Sequence, residues 1–338
     1  MNTSDQTTDL TPLGAFTPDQ LRDFAAREDK QHFVIEGLLQ SPSFNVLAGN
    51  SGLGKTPLVA SMAVAVASGM PWLHFPVPVA ANVLYVNGEM NAQPMSEMLD
   101  ALSTAAGLSA PPPGLTTYRP DWAGEKERGT SFLQNMGSLI AQVKPSLVIV
   151  DPLRALVGQA DYDVREFERL YKWARSCGST VLLVHHLRKK NEHADVPSLS
   201  TEPGLWLQQM SGLGQLLNLS DTRLGVEPYK SAYRQGPDLL MGGLLRGRGD
   251  LPPVYIRRKM DNYGEPQGYE SLRGLAMASD PASALYGQLS AQFKYPDARK
   301  LVNGNSDSMT TRLLAELTHL GLVAKLPLRQ GYEKKVVT

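Results

Sequence analysis

The fold is decided by residues 44–69, which read FNVLAGNSGLGKTPLVASMAVAVASG. An apolar run opens this stretch, glycines follow, and Lys55 and Thr56 then lead into a second long apolar run. That order predicts a buried strand, a tight loop and a helix. The loop fits the pattern Gly-x-x-x-x-Gly-Lys-Thr, which in this setting binds the phosphates of a nucleotide.

The residue types of this loop suit phosphate binding. Glycine lets backbone amides approach phosphate oxygens without a Cβ in the way, and the following helix adds its N-terminal dipole. Lys55 would supply positive charge to the β- and γ-phosphates, and Thr56 a hydroxyl for Mg²⁺. A chance glycine turn is the alternative. The predicted nucleotide-binding residues are Gly49, Asn50, Ser51, Gly52, Leu53, Gly54, Lys55, Thr56 and Pro57.

Two acidic residues follow other apolar runs. The run LVIVD ends at Asp151, a position typical of the acid that holds Mg²⁺ through its water shell. The run VLYVNGE ends at Glu89, at the edge where open α/β sheets bind their ligands. We therefore expect Glu89 to polarise the attacking water. The alternatives are a strand-end cap for Asp151 and a solvated loop glutamate for Glu89.

A fourth apolar run, TVLLVHH, ends in His185 and His186. A single histidine there would more often be structural. Two at the carboxyl end of a strand, beside the expected nucleotide, favour sensors of the γ-phosphate or of water. Zinc is less favoured, because no cysteine or third histidine has suitable spacing nearby.

The layout of the chain predicts an α/β fold. Near-continuous apolar strands alternate with helical patterns, which indicates a mainly parallel sheet covered on both faces. We expect a tail with a short capped helix over residues 1–32, an ATPase core over 33–275 and a small domain over 281–338. Residues 242–253 read as a loop before a strand, and residues 276–283 as a linker.

Composition narrows the class of protein. The 338 residues carry 33 basic and 33 acidic side chains, so a nucleic-acid contact must come from a local patch. The single cysteine, Cys177, excludes an internal disulfide and fits a reducing compartment. The polar N-terminus does not resemble a signal peptide, and the longest apolar run is too short to cross a bilayer. We expect a cytoplasmic protein without a membrane partner.

The segments GNSGLGKT, VLYVNGE, LVIVDPLRAL and VLLVHHLRKK, in this order, resemble RecA-superfamily ATPases of the RepA-like hexameric replicative helicase type. GQLLNLSDTRL (214–224) resembles the family segment that ends in an arginine finger, which would be Arg223. RRKMDNYGEP (257–266) resembles its Lys-x-x-Asn-Tyr-Gly-x-Pro strand and turn, with Lys259 as a second trans candidate. Residues 213–215 depart from the family pattern, since Leu-Gly-Gln replaces Arg-Gly-Ser.

The resemblance implies a RecA-like core that forms a homo-oligomeric ring, expected to be a hexamer. ATP and Mg²⁺ would lie between subunits, and single-stranded DNA in the ring channel. Arg223 would reach the γ-phosphate of the neighbour's nucleotide, where a guanidinium stabilises transition-state charge. A surface ion pair between Arg223 and Asp221 is the alternative.

The C-terminal segment resembles a winged helix. Three helical patterns precede two short strand candidates, and residues 281–338 carry eight basic against four acidic residues, a net charge of +4. Thr310, Thr311 and Arg312 fall early in the expected recognition helix, which would read duplex DNA. A protein-docking or ring-capping domain of the same fold is the alternative.

Three functions remain open at this point. The first is an ATP-driven DNA helicase or translocase, which we expect to act in replication of a plasmid, phage or other mobile element. The second is a RecA-like DNA-binding ATPase without unwinding activity, used as a loader, recombination factor or regulatory switch. The third is a small-molecule P-loop kinase, which the histidine pair does not favour.

Overall fold

A nine-stranded sheet dominates the computed structural model, which describes residues 15–27, 32–119, 130–153, 171–173, 175–176, 178–187, 198–208, 218–229, 238–327 and 330–335. The helices are α1 Pro18–Arg27, α2 Lys55–Ser68, α3 Ala92–Ala105, α4 Thr130–Val143, α5 Pro203–Leu207, α6 Asp280–Gln288, α7 Tyr295–Leu301 and α8 Asp307–His319. The first seven strands are β1 His32–Ile35, β2 Leu39–Ser41, β3 Phe44–Gly49, β4 Val83–Asn87, β5 Leu115–Tyr118, β6 Leu147–Asp151 and β7 Thr180–His186. The others are β8 Thr222–Tyr229, β9 Asp238–Leu245, β10 Gly249–Met260, β11 Pro266–Leu272, β12 Gln292–Phe293, β13 Val323–Lys325 and β14 Tyr332–Lys334.

The large sheet has the order β11-β10-β9-β8-β3-β7-β6-β4-β5. The six strands from β8 to β5 pair in parallel, and β9, β10 and β11 extend the sheet in antiparallel fashion. Because parallel strands end at one edge, the carboxyl ends of β3, β4, β6 and β7 lie together. This confirms the predicted α/β fold with a mainly parallel sheet.

The two faces of the sheet carry separate apolar cores. Every residue of β3 is buried, and its side chains alternate between the faces. Leu47 packs in the core that includes α2, whereas Val46 packs in the core that includes Met136 of α4 and Trp206 of α5. Burial on both faces explains why these strands read as continuous apolar runs.

The capped helix at the start of the described chain is confirmed. The backbone N–H of Thr17 donates to Oε1 of Gln20 at 2.9 Å, and the N–H of Gln20 donates to the Thr17 hydroxyl at 3.3 Å. These two bonds are a capping box, which satisfies backbone donors that a helix start leaves without partners. Residues 1–14 and Cys177 lie outside the described residues.

The loop predicted over residues 242–253 is wrong. Residues 242–245 belong to β9, and a short turn at residues 246–248 leads directly into β10. Pro252 and Pro253 lie inside β10, where the register with β9 shifts between Leu251 and Val254. Proline has no N–H to give to a neighbouring strand, so the irregularity accommodates both residues without ending the strand.

The C-terminal segment follows the order α6-β12-α7-α8-β13-β14 and has an apolar core of its own. The three helical patterns expected there correspond to α6, α7 and α8, and Leu313 and Leu317 of α8 are buried in that core. The linker predicted over residues 276–283 is wrong, because its second half begins α6. Ser279 caps α6, and its N–H and hydroxyl both donate to the buried carboxylate of Glu316, at 2.5 and 2.9 Å.

Candidate nucleotide site

The glycine-rich loop joins β3 to α2 at the carboxyl edge of the sheet. Gly54 immediately precedes α2 and has φ 84°, a left-handed conformation that favours glycine. A Cβ at Gly49 would lie 2.8 Å from the carbonyl oxygen of Val226 in β8, so a side chain would not fit there. Both glycines are therefore required by backbone geometry. The structure confirms the predicted strand, loop and helix.

Lys55 is the first residue of α2, and only 4% of it is exposed. Its Nζ donates to the carbonyl oxygens of Gly49 at 2.9 Å and of Asn50 at 2.8 Å, and it lies 3.0 Å from Nδ1 of His186. Burial lowers the pKa of Lys55 to about 8, and the charge of Asp151 opposes that shift. The ammonium is thus held inside the loop, where it can meet an anionic ligand.

Asp151 ends β6 and is buried beside the start of α2. The Tyr85 hydroxyl, from β4, donates to Oδ2 of Asp151 at 2.5 Å. Burial raises the pKa of Asp151, while hydrogen bonds with the side chains of Tyr85 and Thr56 lower it. The structure therefore brings the two expected Mg²⁺ residues, Thr56 and Asp151, into contact. A hydroxyl and a carboxylate are oxygen donors of the kind that Mg²⁺ prefers, so the pair fits this ion.

Glu89 lies two residues beyond β4, and its side chain is exposed. Its backbone N–H donates to Oδ1 of the buried Asn87 at 3.1 Å. The negative charge of Glu89 acts on two neighbours, since it raises the pKa of both Lys55 and Asp151. The carboxylate therefore lies at the same edge of the sheet as the loop lysine.

The two histidines of β7 point to different faces of the sheet. His186 is paired in register with Gly49 and contacts Lys55. His185 is paired with Ala48, whose side chain packs in the core on the opposite face, and His185 is itself buried there. Alternation along a strand imposes this separation. Of the pair, His186 is therefore the one beside the phosphate loop.

Arg223 and Lys259, the two residues expected to act in trans, lie on β8 and β10. Arg223 is paired with Val46, three residues before Gly49, which is about 10 Å along the strand. The neighbouring Asp221 forms ion pairs of 3.6 Å with Arg175 and Arg246. Lys259, near the end of β10, forms an ion pair of 3.3 Å with Glu270 of β11.

Two residues at the loop were not predicted from the sequence. Arg258 of β10 donates from Nη1 to the carbonyl oxygen of Leu53 at 3.4 Å, and the Tyr269 hydroxyl of β11 lies 3.5 Å from the carbonyl oxygen of Gly54. β11, which pairs with β10, also packs on α2 and α3 and so brings this distant hairpin to the loop. Residues 213–215, where the sequence departs from the helicase pattern, lie outside the described residues.

None of the helices in the described ranges has both the length and the apolar character needed to cross a membrane.

Comparison with curated proteins finds no match to the sequence. Among solved structures, the KaiC-like protein PH0186 of Pyrococcus horikoshii OT3 is similar at 12% identity and a TM-score of 0.47, covering 72% of this chain and 98% of its own. The flagellar accessory protein FlaH of Methanocaldococcus jannaschii is similar at 14% identity and a TM-score of 0.43, covering 68% of this chain and 89% of its own.

The family comparison concerns the half of the chain that carries the phosphate loop. Residues 11–192 match the AAA_25 family, which is described as an AAA domain. The matched region contains Lys55, Glu89, Asp151 and His186 and makes up more than half of the 338 residues. Because the match spans more than half of the chain, it shows that this chain belongs to the AAA_25 family.

Proposed function

We propose that this chain hydrolyses ATP with the help of Mg²⁺ at the loop between β3 and α2. The proposal rests on one observation: Lys55, Thr56 and Asp151 lie together at one edge of the sheet. Thr56 is hydrogen-bonded to Asp151, and Lys55 donates to the carbonyl oxygens of the loop. Thr56 and Asp151 would hold the Mg²⁺ ion, which neutralises phosphate charge when bound. Lys55 would bind the β- and γ-phosphates.

Glu89 is the residue that we assign to the attacking water. Its carboxylate is exposed at the site edge and is close enough to influence the pKa of Lys55 and Asp151. A carboxylate in that place can accept a hydrogen bond from water and orient it. His186, beside Lys55, would sense the γ-phosphate.

Two substitutions test these roles. Lys55→Ala should abolish hydrolysis and weaken nucleotide binding, because it removes the cation that pairs with the phosphates. Glu89→Gln should keep nucleotide binding and slow turnover by orders of magnitude. Lys172→Ala, at an exposed lysine away from the loop, is the matched control and should hydrolyse normally. Normal turnover by Glu89→Gln would reject the assignment of the water-orienting residue.

We further propose that the ATPase works as a homo-oligomeric ring, a hexamer, on single-stranded DNA, as a helicase or translocase of a mobile element. Arg223 is paired with Val46, about 10 Å along the strand from Gly49, where the phosphate loop begins. This distance suits a role at a neighbour's nucleotide better than at its own. Mixing Lys55→Ala with Arg223→Ala subunits should restore part of the activity, since one kind of mixed interface keeps both groups. No recovery in verified mixed oligomers would reject the trans role, and Lys259→Ala should be mixed in parallel.

The second candidate function is a DNA-binding ATPase without unwinding activity. Unwinding of a forked duplex, measured beside DNA-stimulated hydrolysis, separates it from the helicase. Mass photometry with and without ATP and single-stranded DNA gives the size of the assembly. Stimulation by DNA without strand separation would favour the second candidate over the first.

The C-terminal segment is proposed to be a winged-helix domain that binds duplex DNA. In support, Thr311 and Arg312 are exposed early in α8. Thr310 is buried, and its hydroxyl donates to the Ser306 carbonyl oxygen at 2.7 Å, so it is not available to DNA as the sequence suggested. Arg312→Ala should weaken duplex binding while ATP hydrolysis stays normal. Unchanged duplex affinity with a changed oligomeric state would favour a protein-docking domain.

A further inference from the structure

The turn that carries Glu89 is held from one side by Asn87, the last residue of β4. Asn87 is 2% exposed, and its Oδ1 accepts from the N–H of Glu89 at 3.1 Å and from that of Met90 at 2.9 Å. Its Nδ2 donates to the Met90 carbonyl oxygen at 2.8 Å. The buried amide thus fixes the backbone of the turn, although the Glu89 side chain is exposed.

Arg119 holds the same turn from the other side. It follows β5, the edge strand, whose last residue pairs with Val86 of β4. Its Nη1 donates to the Met90 carbonyl oxygen at 2.5 Å and lies 3.2 Å from that of Glu89 and 3.3 Å from Oδ1 of Asn91. One guanidinium nitrogen therefore faces three oxygens of consecutive residues, and charge-assisted bonds of this kind are the stronger ones.

These contacts reach the backbone of the turn and leave the Glu89 carboxylate to face the site edge. Arg119 and Asn87 both donate to the Met90 carbonyl oxygen, so the residue after Glu89 is fixed from two directions. A water-orienting carboxylate must be held closely, since a misplacement of about 1 Å can cost roughly a hundredfold in rate.

We propose that Arg119 is a positioning residue for Glu89, and that it fixes the turn at residues 88–91 without touching the nucleotide. The inference rests on the proposed role of Glu89 in hydrolysis. It predicts that loss of Arg119 lowers kcat through Glu89, while nucleotide affinity, which depends on the β3–α2 loop, stays the same.

A double-mutant cycle tests the inference in the full-length protein. Arg119→Ala should lower kcat by about tenfold or more and change the Kd of a non-hydrolysable ATP analogue by less than about twofold. In a Glu89→Gln background the same change should lower kcat by less than about twofold, because the group that Arg119 positions is already gone. Arg119→Lys should recover part of kcat, since an ammonium can still donate to the Met90 carbonyl oxygen. Arg22→Ala, at an exposed arginine of α1, is the control.

Amide hydrogen exchange at Glu89 and Met90 measures directly whether Arg119 holds the turn. Faster exchange at these amides in Arg119→Ala, with the rest of the sheet unchanged, is the expected result. Unchanged exchange, or an equal loss of kcat with and without the Glu89→Gln substitution, would overturn the positioning role of Arg119. Normal hydrolysis by Glu89→Gln alone would instead overturn the proposed function of Glu89.

Discussion

Replacing Tyr85 by phenylalanine should remove one hydrogen bond from the deepest part of the site and leave the packing unchanged. Tyr85 is fully buried in β4, and its hydroxyl donates to Oδ2 of Asp151 at 2.5 Å. The ring is retained in phenylalanine, so no cavity forms. A hydrogen bond to a charged group contributes about 1.5–3 kcal/mol, and we expect the free energy of unfolding to fall by about 2 kcal/mol at neutral pH.

The cost should depend on pH in a defined direction. Burial raises the pKa of Asp151, and the hydrogen bond from Tyr85 opposes that rise. Without the hydroxyl, the pKa of Asp151 rises further, so the carboxylate form is the one that Tyr85→Phe destabilises. The difference in unfolding free energy between the native protein and the variant is therefore largest above the pKa of Asp151. The difference shrinks as pH falls through that pKa, because a protonated carboxyl is destabilised less than a carboxylate by the loss of the Tyr85 hydrogen bond.

Urea denaturation over a pH series measures this difference. Tyr263→Phe is the matched control, since Tyr263 is 92% exposed and its substitution should change the free energy of unfolding by less than about 0.5 kcal/mol. Tyr85→Phe should cost less in an Asp151→Asn background, where the acceptor carries no charge. An equal cost in both backgrounds, or a cost that does not vary with pH, would refute the electrostatic argument.

Three further outcomes are expected. Burial lowers the pKa of His74 from 6.5 to about 4, so the folded protein should lose stability as pH falls from 6.5 towards 4. His74→Gln should flatten this dependence of the unfolding free energy on pH, and parallel pH profiles for the two proteins would contradict the prediction. Gly225→Ala should lower the free energy of unfolding by about 1–3 kcal/mol, because its Cβ would lie 2.5 Å from the Trp206 ring. Gly137→Ala, with open space around it, is the control and should be neutral or stabilising in thermal unfolding. Arg258→Ala removes the hydrogen bond to the Leu53 carbonyl oxygen and should weaken ATP binding by about two- to tenfold, the effect of roughly one hydrogen bond. An equilibrium titration measures this, and unchanged affinity would exclude a role of Arg258 in holding the loop.

The centre of the site could be predicted because its residues are consecutive or end apolar runs. Residues 44–49 and 180–186 form strands with the bounds that the sequence indicated, since a run buried on both faces starts and stops with its apolar residues. Placing Glu89 and Asp151 at strand ends then predicted a common edge. The two histidines could have been separated at the same stage, because neighbours on a strand face opposite sides.

The surroundings of the site could not be predicted because they depend on contacts between distant parts of the chain. Arg258 of β10 reaches the loop because the paired strand β11 packs on α2 and α3. No local sequence pattern predicts that packing. Arg119 lies within residues 111–130, whose glycine and proline content predicts an irregular insertion, and β5 in that range is short and only half-buried. The hairpin of β9 and β10 was missed for the same reason. The glycine and proline content of residues 242–253 predicts a loop, but pairing between the two strands, with a shift in register, keeps the chain extended there.

Tyr85 and Arg119 support the two acids of the site in physically different ways, and their variants should differ accordingly. Tyr85 donates to a buried carboxylate, and the penalty for leaving that charge without its donor appears in the free energy of unfolding. Arg119 donates to backbone oxygens of a turn whose glutamate is exposed, so its loss releases groups that water can satisfy. The stability cost of Arg119→Ala should therefore be small, and its effect should appear in kcat. A variant pair with the opposite pattern, in which Arg119→Ala unfolds the protein and Tyr85→Phe leaves its stability intact, would mean that burial does not decide where these interactions act.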